Sequence, residues 1–512
     1  MNLFIKRSVL LMPLAILGCG GGDGSGCCDI PEGGGGDNSE PFAWEFKANS
    51  LVDDSKVSRL LVSTGGDTSN AMWSRNTNLY AQSLSLGSGV DIDKVEITSP
   101  YTNLEVTDFP YDMDYEHIES RRERPHDLIS LPSGEACASW LEADNVNEYD
   151  MTVELMYSCT SGNYLEWDEP TVIDAGLKRT KATPPMRDVR LAYLDEDRQM
   201  LTWRHKEDGF SASTNNAHEL KVAFIEGGNV ADEPIILHEN VVGVPTTKAF
   251  LDHEGNPTLL WASLGAGTNG SDNLSITTWD DTGGVSNRSV PTKTSYKYSV
   301  DVNDDGTIIS YVEEDLKGDW WITMRDLESF EIVRMIAVKG EPLNTQLIGD
   351  FDRSYLGWIE RYEREGSNVD AARSYAIKVA RVRYDEVQEI STFREDTLGF
   401  VDSSRAEGIL NLRLNKVGSN SVILTWAERL NGDHESRIRM TQMDGKTTTK
   451  VYPFNCAGGA GCSGTGDLQF DVSYSGDESV LYFSKDGALW RSIGNKIDDC
   501  DGDGLFNECG TY

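Results

Sequence analysis

Apolar and polar positions alternate along most of this chain in short runs. Residues 126–133 read HDLISLPS, 135–143 EACASWLEA, 151–159 MTVELMYSC and 164–174 YLEWDEPTVID. The next stretch repeats the pattern with RDVRLAYLDE, MLTWRHKE, ELKVAFIEG and EPIILHE. A period of two, rich in β-branched and aromatic residues and punctuated by Asp, Gly and Asn, is the signature of short strands joined by tight turns. No window sustains an apolar period of 3.6 beyond two helical turns, so the pattern predicts an all-β chain.

The runs also repeat. A turn rich in Asp and Gly leads into a strand that ends in Trp or Tyr. The copies are SGEACASW to Trp140, EDRQMLTW to Trp203, EGNPTLLW to Trp261, DDGTIISY to Tyr311, DRSYLGW to Trp358 and GSNSVILTW to Trp426. Weaker copies are GDESVLY, ending at Tyr482, and DTSNAMW, ending at Trp73. Their spacings run from 47 (Tyr311 to Trp358) to 68 (Trp358 to Trp426), and each unit divides into four strands. A single small sheet cannot bury both faces. Stacking such sheets radially buries them all, with the repeated aromatic filling the gap between neighbours. The expectation is a β-propeller of seven or eight four-stranded blades. A β-sandwich array is the competing architecture. The last unit (LQFDVSYS, SVLYFS, ALWRSI) has three strands, and AWEFKA around Trp44 is the expected fourth, joining the chain ends and closing the ring. Residues 101–125 read as a long insertion between the first two units.

Composition adds an address. Lys6 and Arg7 precede a short apolar stretch from Val9 to Leu17, too short to span a bilayer as a helix and suited to an export signal. Ile16-Leu17-Gly18-Cys19 resembles the lipobox of bacterial lipoproteins. The resemblance implies cleavage of the signal peptide (residues 1–18), acylation of Cys19 (palmitate among the chains) and a lipid-anchored protein. With Gly20 rather than Asp after the Cys, it also implies the outer membrane. Residues 20–40 hold nine Gly. Residues 19–41 are therefore expected to form a flexible, disordered tether reaching about 25 Å by random-coil scaling. The propeller is expected over 42–495 and an acidic, disulfide-tied tail over 496–512.

The formal charge is −38, and removing the signal (two cations, no acids) leaves 44 − 84 = −40. So acidic a surface sets nucleic acid aside as a partner. It also repels acidic polysaccharide unless divalent cations bridge the two. Of nine Cys, Cys19 goes to lipid and eight remain, an even number in an oxidising compartment. Proximity suggests Cys456 with Cys462, Cys500 with Cys509, and Cys137 with Cys159. For the last pair, a hairpin turning near Asn145–Asp150 places the two Cys opposite each other and Trp140 opposite Met156. Cys27 and Cys28 have no evident partner.

The units loosely resemble those of secreted sialidase-like propellers. That resemblance extends to fold and not to activity, since neither the Asp-box (Ser-x-Asp-x-Gly-x-x-Trp) nor an Arg-Ile-Pro opening occurs. Gly-x-Ser-x-Gly and His-Glu-x-x-His are likewise missing; His-Glu occurs at His218, His238, His253 and His434 with no second His following. The strongest local constellation is Asp499-Cys500-Asp501-Gly502-Asp503-Gly504-Leu505-Phe506-Asn507. It resembles calcium loops of the EF-hand and thrombospondin type 3 kinds. The resemblance implies calcium held by Asp499, Asp501, Asp503 and Asn507; a plain acidic tail is the alternative. Asp301-Val-Asn303-Asp304-Asp305-Gly306 has similar alternation but sits where a β-turn is expected. Two functions follow as expectations. One is an envelope binding or scaffold module whose ligand is a glycan or an envelope protein. The other is a carbohydrate-active enzyme (glycoside hydrolase or polysaccharide lyase) using carboxylates at the propeller mouth, with Trp320 or Trp321 as a sugar platform.

Overall fold

The computed structural model describes strands and turns between Phe42 and Asp498. Residues 1–41, 97–125, 396–408, 454–469 and 499–512, with several shorter loops, lie outside the described residues. The chain divides into two units, residues 1–39 and Glu40–Tyr512.

That second unit is an eight-bladed β-propeller. Blade 1 holds β3 (Val57–Gly65), β4 (Thr68–Arg75) and β5 (Asn78–Ser85), with the short β6 (Val90–Asp91) and β7 (Val95–Glu96) outside. Blade 2 is β8 (His126–Ser130), β9 (Ala136–Asp144), β10 (Met151–Cys159) and β11 (Thr171–Lys178). Blade 3 is β12 (Met186–Tyr193), β13 (Arg198–His205), β14 (His218–Glu226), β15 (Asn229–Val230) and β16 (Ile235–Val241). Blade 4 is β17 (Thr246–Leu251), β18 (Pro257–Ser263), β19 (Asn273–Trp279) and β20 (Val285–Val290). Blade 5 is β21 (Ser295–Val302), β22 (Ile308–Glu314), β23 (Trp320–Asp326) and β24 (Ile332–Val338). Blade 6 is β25 (Glu341–Asp350), β26 (Arg353–Glu363), β27 (Arg373–Val382) and β28 (Val387–Glu395). Blade 7 is β29 (Ile409–Val417), β30 (Ser421–Arg429), β31 (Ser436–Met443) and β32 (Tyr452–Pro453). Blade 8 is β33 (Phe470–Ser475), β34 (Glu478–Lys485) and β35 (Ala488–Asp498), completed by β1 (Phe42–Phe46) and β2 (Ser50–Asp53).

The first strands of the blades touch in cyclic order, from β3 and β8 round to β33 and back to β3, so they line the axis. Phe42 pairs with Asp498 and Phe46 with Gly494, and Ser50 and Leu51 continue along β35 to Arg491 and Trp490. The segment around Trp44 thus supplies the missing strand, as its sequence suggests. β35 runs three residues past the expected end of the propeller, because β1 gives those residues a partner.

The repeated aromatics fill the seams. Trp73, Trp140, Trp203, Trp261, Tyr311, Trp358 and Trp426 each lie on the second strand of a blade. Each is buried and clusters with the blade before it: Trp203 with Leu155 and Tyr157 of blade 2, Trp358 with Ile322 and Met324 of blade 5. The eighth copy needs a correction of one residue. Tyr482 clusters with Trp73 and Leu84 of blade 1, on the opposite side of its sheet. Phe483, pointing the other way by strand alternation and fully buried, takes the repeat position. At the turns, glycines supply the left-handed backbone that closes the hairpins. At Gly306 (φ +68) a Cβ would also meet the Leu251 carbonyl at 2.2 Å, where the blade 5 hairpin nests against blade 4.

Cys137 and Cys159 are paired across β9 and β10, as are Trp140 and Met156, and a disulfide joins the two Cys. The bridge lies against Tyr157, whose hydroxyl is 2.8 Å from the Cys159 sulfur and donates to Gln199 Oε1 of blade 3 at 3.0 Å. Replacing both Cys by Ser is expected to lower stability by about 3 kcal/mol, from the loop entropy of a 22-residue separation. Urea unfolding of the two forms measures it; an unchanged midpoint would remove the bridge from the stability argument.

Candidate functional site

The axis is ringed at one height by residues one place before the repeat aromatic in register: Asp127, Arg190, Lys248, Asp301, Gln346, Arg413 and Asp471, with Leu61 in blade 1. Three acids balance three cations there, in a chain of charge −38. The side chains join blade to blade. Asp127 Oδ2 accepts the Leu191 N–H of blade 3 at 2.9 Å, and Asp301 Oδ2 the Leu347 N–H of blade 6 at 2.8 Å. Asp471 Oδ2 accepts the Val62 N–H of blade 1 at 3.3 Å, across the ring closure. Gln346 does the same with amide chemistry, accepting from Leu414 N and donating to Leu412 O of blade 7. Lys248 lies 2.9 Å from Asp301, and Arg413 lies 3.0 Å from Asp471. The Asp301 carboxylate holds the Lys248 ammonium above its ordinary pKa against the desolvation that opposes it. These inner-wall carboxylates are therefore joints of the ring.

Carboxylates also receive the indoles. Asp53 from the outer edge of blade 8 accepts Trp73 Nε1 at 3.1 Å. Glu142 and Glu360, two residues after their Trp, accept Trp140 and Trp358 at 3.3 Å.

A polar group off the axis lies on blade 3, where the end of β13 and the start of β14 meet. Alternation sends Trp203, His205, Glu219 and Lys221 to one face and Arg204 and His218 to the other. On the first face, one oxygen of Asp174 of blade 2 accepts two donors, Trp203 Nε1 and Lys221 Nζ, each at 2.9 Å, and lies 3.6 Å from His205 Nδ1. Glu219 lies 3.7 Å from the same imidazole nitrogen and is the most open member of the group. On the second face, Arg204 pairs with Asp188, both buried, and Asp188 holds a left-handed backbone (φ +52) that Asp tolerates better than most residues. Asp174 and the Arg204–Asp188 pair hold the blade together.

Of the sequence-derived candidates, the second alternating motif forms a turn. Asn303 Oδ1 accepts the N–H groups of Thr307 and Ile308, and Asp305 accepts Thr307 N. Asp304 and Asp350 face Lys416 at 3.4 and 3.2 Å. No group of three or more metal-ligating side chains occurs among the described residues. Cys19, Cys27, Cys28, Cys456, Cys462, Cys500, Cys509, Asp499, Asp501, Asp503 and Asn507 lie outside those residues. Trp320 and Trp321 open β23 on the outer half of blade 5, both half-buried. His218 is buried and points away from its neighbour Glu219. The blade 3 group carries no recognisable sequence spacing, since Asp174 and His205 are brought together only by blade stacking.

No protein-family model and no curated protein matches this chain. Solved propellers do. A prolyl endopeptidase matches at 9% identity and TM-score 0.45, over 85% of this chain and 55% of its own, so this chain spans about half of that enzyme. The β-propeller domain of the Trilobed protease from Pyrococcus furiosus matches at 11% identity and TM-score 0.40 over 80% and 98%. The Dos1 propeller matches at 8% identity and TM-score 0.42 over 88% and 95%. At these identities the likeness is one of fold.

Proposed function

We propose that this chain is an outer-membrane lipoprotein, acylated at Cys19, whose propeller serves as a binding module for an envelope protein with a basic surface. The carrying observation is the charge of one propeller face. The turns joining first to second strands and third to fourth strands all emerge on that side, because neighbouring strands are antiparallel. Their described residues include Asp195-Glu196-Asp197, Asp232-Glu233, Asp252-His253-Glu254 and Asn303-Asp304-Asp305, and no Lys or Arg. Backbone N–H groups hold several of these carboxylates in place: Asp195 Oδ1 accepts from Asp197 and Arg198, and Asp252 Oδ1 from Glu254 and Asn256. Desolvation raises the Asp195 carboxyl, but the bond and charge of the Arg198 guanidinium, with the Asp197 and Arg198 N–H groups, prevail and hold it below its ordinary pKa. A rigid array of fixed negative charge favours a cationic protein surface and steers its approach. The disulfide in blade 2 agrees with an exported chain. The C-terminal loop from Asp499 to Asn507 is proposed to bind calcium, beginning directly after Asp498 pairs with Phe42 on the rim.

The tests use the full chain in cells and the soluble chain from Phe42 in vitro. Photo-crosslinking residues placed at Asp197 and Glu254 of the full chain in cells are expected to capture an envelope protein, in amounts that fall as salt rises. The soluble chain, offered bacterial, algal and plant polysaccharides with calcium and then with chelator, is expected to release no products. Product release would overturn the reading and place the chain among carbohydrate-active enzymes. Calorimetry with calcium alone tests the tail, and loss of binding in the Asp501→Ala, Asp503→Ala variant is the expected result.

A further inference from the structure

The outermost strand of blade 5 differs in composition from its counterparts. β11 carries Asp174 and Lys178, β16 His238 and Glu239, β20 Ser286, Asn287 and Arg288, and β28 Glu389, Arg394 and Glu395. β24 reads Ile-Val-Arg-Met-Ile-Ala-Val, with one charge in seven residues. It pairs without a break from Arg334 to Val338 on its inner side and has no strand partner on its outer side among the described residues. Ile332 is 42% exposed, and Ala337 is exposed too. Apart from a bulge at Val333, this is an apolar edge able to template another strand, and monomeric proteins ordinarily blunt such edges with charge.

The ends of the segment say which strand fits. Exposed Glu331 precedes it and exposed Lys339 follows it, so residues 331–339 read E-IVRMIAV-K. Laid antiparallel on a second copy about Met335, Glu331 faces the other copy's Lys339, Ile332 faces Val338, Val333 faces Ala337, and Met335 faces Met335. In that register both charged ends face opposite charges and, apart from Arg334 facing Ile336, apolar residues face apolar ones. We infer that the protein forms a two-fold homodimer through antiparallel pairing of β24 with β24 of a second copy, merging the two blade 5 sheets into one sheet of eight strands. Opposite charges directly across such a pair favour this register over its slips. The inference is independent of the ligand proposed above.

The experiment uses the chain from Phe42 and three sets of variants. Sedimentation velocity from about 1 to 500 μM is expected to show a species of twice the monomer mass. K339E and E331K each place like charges opposite one another and are expected to weaken dimerisation at least tenfold; E331K/K339E together restore the opposite pairing and the dimer. Met335→Cys puts two thiols across the axis at a separation a disulfide tolerates, and mild oxidation is expected to yield a covalent dimer. Ala337→Cys lies two residues from the axis and is expected to yield none. A monomer at every concentration without Met335→Cys cross-linking would overturn the inference. So would a dimer indifferent to the charge swap, since its contact would lie elsewhere.

Discussion

A chain beginning at Val57 is expected to lose its cooperative unfolding transition, whereas one beginning at Phe42 keeps it. The two differ by β1 and β2, which contribute nothing to the axis yet complete blade 8. Without them β35 becomes a bare edge over the stretch that now pairs with Phe42–Phe46 and Ser50–Asp53. The buried indole of Trp73 loses its Asp53 acceptor, which costs about 1–3 kcal/mol for a desolvated donor. Val52 leaves the cluster of Leu60, Trp73, Val480 and Tyr482, a further loss on the order of 1 kcal/mol. Adding the lost strand pairing brings the total to roughly 5 kcal/mol, comparable to the whole stability of an ordinary domain. Asp53→Ala alone isolates the indole term, with an expected loss of about 2 kcal/mol. Urea unfolding followed by tryptophan fluorescence reads all three chains. An unchanged midpoint in the Val57 chain would mean that the ring holds without its closing strand.

The parts of this fold that are legible in the sequence are the local ones. A hairpin turn needs glycine with φ above zero and polar neighbours, and a blade seam needs a large side chain at a fixed offset from that turn. Gly134, Gly255 and Gly306 meet the first need, and Trp140, Trp261 and Tyr311 the second. The hairpin of Cys137 and Cys159 follows from the same local count. Where two aromatics stand side by side, as at Tyr482-Phe483, the linear pattern does not decide which faces the preceding blade; the pairing of β33 with β34 does. The axial belt is illegible for a different reason. Asp127, Asp301 and Asp471 look like any of 84 acids until the ring sets each against a neighbour's backbone N–H. Asp174 is likewise silent, because its partners sit on the next blade. Acids with a structural task and acids that only colour the surface share one alphabet, and only packing separates them.

Glu360 is the sharpest case, and Glu360→Ala is expected to cost about 3–5 kcal/mol, the range for removing one partner of a buried ion pair. The side chain is fully buried on β26. One oxygen accepts the N–H groups of Lys339 and Gly340, at the crossing from blade 5 to blade 6, at 2.9 and 3.0 Å. The other meets Lys378 at 2.7 Å and Trp358 Nε1 at 3.3 Å. Burial opposes the charge, but the bond and charge of Lys378, with the Gly340 N–H and the Trp358 indole, prevail and hold the carboxyl below its ordinary pKa. The sign of the pH dependence follows. With a folded pKa below the unfolded one, the stabilisation is present in full above the unfolded value, near 4.3, and fades as pH falls through the folded value. The gap between the parent and Glu360→Gln, measured by urea unfolding, is therefore expected to be widest near neutrality and to shrink below about pH 4. Lys378→Met on top of Glu360→Ala removes the ammonium that faces this carboxylate and is expected to recover part of the loss. A loss below 1 kcal/mol for Glu360→Ala, or a gap that widens in acid, would mean that the blade 5 to blade 6 crossing is held by packing and not by this carboxylate.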